Sequence, residues 1–212
     1  MEKLLIFIKH NLAFLWRIIE WGNGIVFSWI YRSRLAKVLK GVFEEVPDSH
    51  FTFRKLVQSD LVLLHELLKS QNDGDLNYFK PHAFDMTSLE RQLKIPSFLM
   101  MGAFDGEKMA GYFFLRFFAN KKCFVGRLTD KDYRGKGIGL VMDRIMYETA
   151  WRMGFRCLST ISRNNNLVMK AHAGNSSMIV LKELAGDYML VEFAREDFFK
   201  AKAHLGNNRD SV

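Results

Sequence analysis

Tyr133-Arg134-Gly135-Lys136-Gly137-Ile138-Gly139-Leu140 is the stretch on which the fold of this 212-residue chain turns. An apolar, strand-like run, Cys123 to Leu128, comes just before it, and an amphipathic helix follows. Ile138, Val141, Met142, Ile145, Met146, Thr149, Ala150 and Met153 recur at i, i+3, i+4, i+7 spacing and predict one buried face. Asp143, Arg144, Glu148 and Arg152 take the other side, and Gly154 stands where a left-handed cap belongs. Strand, glycine turn and helix in this order make an anion cradle. Glycines let the backbone approach a phosphate closely, and the free amides of the first helical turn point at it.

Two familiar phosphate motifs do not fit. A dinucleotide fingerprint needs a third glycine where Leu140 stands, and the Lys-Ser/Thr pair of a Walker loop is absent. The remaining pattern, Arg-Gly-x-Gly-x-Gly after a strand, resembles the pyrophosphate loop of the GNAT superfamily of acetyl-CoA-dependent N-acetyltransferases.

The order of the other elements agrees with that resemblance from residue 51 to 194. Periodicity and turn signals predict strands over 51–57, 98–104, 109–118, 123–128, 156–161, 178–183 and 188–193. Helices are predicted over 60–69, 87–93, 138–153, 167–173 and 196–204. The resemblance implies an α/β (α+β) fold, with a mixed central sheet splayed at its middle and flanked by helices. The expected organisation is an N-terminal helical extension over 1–46, a GNAT domain over 47–204 and a frayed tail over 205–212.

Further roles come from the resemblance alone. Arg134, Gly135, Lys136, Gly137, Ile138 and Gly139 would hold the pyrophosphate of acetyl-CoA, and the backbone of Leu128 and Thr129 would align its pantetheine arm. Asn165, Val168 and His172 fall on the family's Asn-x-x-[Ser/Ala]-x-x-x-[Tyr/His] spacing. Asn165 would then bond the pantetheine, and His172 would protonate the departing thiolate. Many family members carry a catalytic Glu on the strand before the loop, but no acidic residue lies between Glu107 and Asp130 here. His82, in the aromatic Phe79–Phe84 loop, is the first candidate for the base, because in this fold that region lines the acceptor cleft. No metal is expected.

Composition bounds the rest. Of the chain, 49% is hydrophobic and 14% aromatic, with 19 Phe, which calls for a large buried or membrane-contacting surface. Two cysteines, Cys123 and Cys157, both in predicted strands, argue against a disulfide scaffold and for a reducing cytoplasm. The net charge is +8, and residues 1–41 carry seven Lys/Arg against two Glu. A nucleic-acid binder would place that excess as a stripe on the folded domain. Here it accompanies a segment rich in Leu, Ile, Phe and Trp, a pairing suited to an anionic membrane surface.

Gly22-Asn23-Gly24 is expected to break this segment into two helices. Its longest uncharged run, Trp21 to Tyr31, is too short to span a bilayer. The expectation is peripheral attachment to the cytoplasmic membrane face, by an interfacial helix or a shallow hairpin. The alternative is packing on the domain or a homodimer seam. Together these readings describe an acyl-CoA-dependent N-acyltransferase acting on an amine, such as an amino sugar in surface-polysaccharide assembly. A protein or polyamine acceptor, or a non-catalytic acyl-CoA-binding adaptor, is the rival.

Overall fold

The computed structural model describes residues 13–47, 49–173 and 177–195, with the side chains of 13–19 and 73 left aside. Residues 1–12, the helix expected over 196–204 and the tail 205–212 lie outside the described residues.

Among the described residues the chain builds one sheet of seven strands in the order β1-β2-β3-β4-β5-β7-β6. The strands are β1 (Phe51–Lys55), β2 (Phe98–Asp105), β3 (Lys108–Phe117), β4 (Lys122–Thr129), β5 (Arg156–Ser162), β6 (Met178–Glu183) and β7 (Tyr188–Phe193). All neighbours run antiparallel except β4 and β5. The expected mixed sheet is therefore present, and so is its splay. The parallel pair holds for three residues, Lys122↔Arg156, Cys123↔Cys157 and Phe124↔Leu158, and then parts. Ser159 Oγ donates to the Val125 carbonyl at 3.1 Å just beyond the last pair, satisfying an acceptor the lost ladder leaves open.

Each face of the sheet carries its own apolar layer. On one, α5 (Ile138–Arg152) buries Ile138, Met142, Ile145, Met146 and Ala150 against Phe113, Leu115, Val125 and Cys157. On the other, α2 (Leu61–Ser70) and α4 (Met86–Leu93) bury Leu61, Leu64, Leu68 and Leu89 against Met100, Phe104, Tyr112 and Phe114. Two further helices are short, α3 (Asp73–Asn77) and α6 (Asn166–His172).

The N-terminal segment differs from expectation. One continuous helix, α1 (Ala13–Glu44), runs through Gly22-Asn23-Gly24 without a break. Contacts with the domain explain this. The Asn23 amide donates to the Phe117 carbonyl at 2.8 Å, and its oxygen accepts from Ala119 N–H at 2.9 Å, closing the end of β3. A Cβ on Gly24 would come within 3.2 Å of Pro96 Cδ, so this glycine serves close approach of helix and loop. Phe27, Leu35, Leu39 and Val42 join the same core layer as α5, with Phe27 stacked on Phe117 at 4.8 Å. Arg152 at the end of α5 bonds Glu45 at 2.8 Å and Glu148 at 2.8 Å, while Arg34 donates to the Arg152 carbonyl. The outward face keeps Trp21, 68% exposed, Trp29, 89% exposed, and Ile30 in solvent. Among the described residues no helix is long and apolar enough to cross a membrane.

Candidate functional site

Where β4 and β5 part, a cleft of about 870 Å3 opens, with the glycine turn at its wide end and the Phe124–Leu158 pair at its closed end. Gly135 and Gly137 both have φ of +79°, and a Cβ on either would point into open space. Gly137 is the N-cap of α5, so the free amides of that helix face the cleft. The turn thus offers free backbone amides with room for an anion beside them.

Most of the residues expected at the loop do line the cleft: Leu128, Thr129, Arg134, Gly135, Gly137, Ile138 and Gly139. The Thr129 hydroxyl is buried without a hydrogen-bond partner, an open polar position on the strand edge that an extended amide-bearing arm would meet. Arg134 is tied down, its Nη2 donating to Asp75 Oδ2 at 2.7 Å. Lys136 is not among the lining residues; its ammonium lies over the Tyr133 ring, 4.5 Å from the centroid. Asn165 and His172 also line the cleft, from the two ends of α6. The Asn165 side chain accepts from Val168 N–H at 3.2 Å and so caps this helix. The His172 ring lies against Phe193 at 5.1 Å.

His82 sits elsewhere. It is not among the lining residues of the cleft, and both of its ring nitrogens are engaged. Nδ1 lies 2.8 Å from the Ala83 carbonyl, which can only accept, so Nδ1 carries the proton. Nε2 lies 2.8 Å from the Tyr112 hydroxyl and accepts from it. Burial pushes the Tyr112 phenol well above its usual value, so it keeps the proton it donates. The ring also packs edge-on against Phe84 and Phe98.

Burial lowers the His82 pKa from the usual imidazole value near 6.5. The unfolded ring therefore takes up a proton before the folded one. Stability from this group is complete above about pH 6.5 and declines as pH falls toward the depressed folded value. In His82→Gln that part of the acid sensitivity is expected to vanish, giving a shallower fall of Tm on acidification below neutrality. An unchanged slope places the sensitivity in other groups.

Several site residues carried no motif. Arg127 on β4 and Asp143 on α5 form a two-pronged ion pair at 2.7 and 3.1 Å within the cleft wall. The Arg127 guanidinium lies so close to the loop that a Cβ on Gly139 would stand 2.8 Å from it. Periodicity assigned Asp143 to the solvent side of its helix, yet it is 4% exposed because Arg127 reaches it from the strand. Phe79, Phe114, Phe118 and Phe124, with Arg116, wall the closed end. Gly126 lies there too, where a Cβ would come within 2.8 Å of Phe114, so the strand passes the aromatic wall only without a side chain. Among the described residues no cluster of His, Cys, Asp or Glu could hold a metal ion.

No protein-family model and no curated protein matches this chain. Solved structures do. An N-acetyltransferase, PaiA from Thermoplasma acidophilum in complex with coenzyme A, is 18% identical with a TM-score of 0.57. The similarity covers 68% of this chain and 99% of that one. The GNAT domain of the S. lividans PAT protein is 14% identical over 66% of this chain and 88% of that one, with a TM-score of 0.58. A ribosomal-protein-S5-alanine acetyltransferase from Vibrio fischeri is 15% identical over 72% and 97%, with a TM-score of 0.55. The fold of the chain is the GNAT acetyltransferase fold.

Proposed function

We propose that the chain is an acyl-CoA-dependent N-acyltransferase that moves an acetyl group from acetyl-CoA to a primary amine. The observation that carries this reading is the parted β4–β5 pair with a glycine turn of free backbone amides at its mouth. An extended arm between the strands takes the ladder positions that β5 gives up after Leu158, with Thr129 Oγ1 as a further partner. The PaiA structure holds coenzyme A in the same fold, which supports the donor.

In the reaction the amine nitrogen bonds to the acyl carbon and the carbon–sulfur bond breaks. The nitrogen loses a proton and the sulfur gains one. His172 is the one histidine among the described lining residues, and we assign it the proton delivered to sulfur. The aromatic wall at the closed end receives the acceptor.

The place of action is proposed to be the cytoplasmic face of a membrane. Exposed Trp21, Trp29 and Ile30 on α1 sit beside Arg32, Lys37 and Lys40, an amphipathic surface suited to an anionic bilayer. An amine held at that surface, such as an amino sugar on a carrier in polysaccharide assembly, is the acceptor we favour.

Thiol release from acetyl-CoA over a panel of amines tests the activity. Turnover with at least one amine is expected, and His172→Gln should lower kcat by roughly 10²–10⁴ at little changed coenzyme A affinity. Coenzyme A binding with no transfer to any amine would leave the adaptor reading in place. A native rate in His172→Gln would remove that residue from the chemistry.

A further inference from the structure

A second cavity, of about 400 Å3, lies beside the N-terminal half of α1. Its apolar walls are Gly22 and Val26 from α1, Ile95 and Phe98 at the start of β2, and Phe118 just past β3. Glu20 and Arg116, joined as an ion pair, form one of its walls.

Arg116 and Phe118 line the main cleft as well, so the two cavities share these side chains. Strand register says which end of the cleft they share. Arg116 pairs with Phe124, the last β4 residue that still pairs with β5. Gly126 stands two residues farther along, about 7 Å at the rise of a strand. A donor arm entering at the glycine turn therefore points its reactive end toward Arg116 and Phe118. The α1 cavity adjoins the end at which an acceptor must arrive.

We propose that this cavity receives the aliphatic chain of the acceptor, whose amine is thus the head group of a single-chain amphiphile. The proposal rests on the acetyl-transfer reading of the cleft. The Glu20–Arg116 pair neutralises the one charged wall, so the space favours neither a free anion nor a free cation. Burial of methylenes against Val26, Ile95, Phe98 and Phe118 is what it can reward. Val26 is also 45% exposed on the helix that carries Trp21 and Trp29, so the cavity opens toward the surface an amphiphile would come from.

The test is a chain-length series of ethylamine, hexylamine and dodecylamine, the last below its micelle concentration. Each buried methylene should lower KM roughly three- to fourfold, so burial of about five of the added methylenes lowers it on the order of 10²–10³ over the series. Gly22→Phe fills the cavity from a helical position whose Cβ meets nothing within 4 Å, and Val26→Arg makes its wall charged. Either should bring the ratio of ethylamine to dodecylamine KM toward one. Equal KM values along the series in the native protein, or a ratio untouched by both substitutions, overturns the proposal.

Calorimetric binding of decanol, which has no amine, separates the two readings. Decanol bound by the native protein and lost in Gly22→Phe supports the cavity even if no amine is acetylated. Acetylation of ethylamine without decanol binding sinks the cavity assignment alone.

Discussion

Gly137→Val is expected to fold and to lose coenzyme A affinity on the order of 10²–10³-fold, about 3–4 kcal/mol. Folding survives because a non-glycine residue at φ +79° costs about 1–3 kcal/mol, within the reserve of an ordinary domain. The side chain itself meets no protein atom within 4 Å. On the proposed function it would stand in the path of the diphosphate, beside the amides of the first turn of α5. Gly139→Val is the informative contrast. Its side chain would collide with Arg127 and disturb the pair with Asp143, so loss of binding there would mix ligand obstruction with wall damage. Titration calorimetry alongside a thermal melt reads both quantities. Native affinity in a folded Gly137→Val protein would end the phosphate assignment.

The second large effect belongs to α1, whose two faces should respond oppositely. Deleting residues 1–45 removes Phe27, Leu35, Leu39 and Val42 from the core. At about 1.5–3 kcal/mol for each buried side chain the loss approaches the whole stability of a typical domain. The truncated chain is expected to be unfolded at room temperature, seen as loss of the cooperative melt. Substituting Trp21 and Trp29 by Ser touches only exposed positions and should leave Tm within a few degrees. It should also release the protein from anionic vesicles in a sedimentation assay. A truncated protein that melts cooperatively would show α1 to be dispensable. A double variant that still sediments would move the membrane contact elsewhere.

What could be read from the chain without coordinates follows from how local each cause is. The glycine cradle and α5 were legible because Gly135, Gly137 and the apolar spacing from Ile138 to Met153 act within a few turns of chain. The mixed, splayed sheet followed from the fold resemblance that this stretch carried. The helix break expected at Gly22-Asn23-Gly24 was a local inference overruled at long range. Asn23 bonds residues 117 and 119, and Gly24 fits against Pro96, contacts no window of sequence contains. The Arg127–Asp143 pair was hidden for the same reason, since helical periodicity places Asp143 on the polar side. The position of His82 depended on which way its loop turned. It turned toward Tyr112, a residue thirty positions away on a strand.

The contacts of Arg152 have a mechanical side. α5 is a rod of 15 residues, about 22 Å long, with the glycine turn at one tip and Arg152 at the other. Glu45 and Arg34, both from the α1 segment, grip that far tip. The N-terminal helix is thus fastened to the end of α5 opposite Gly137, and the glycine turn and the exposed tryptophans belong to one packed unit.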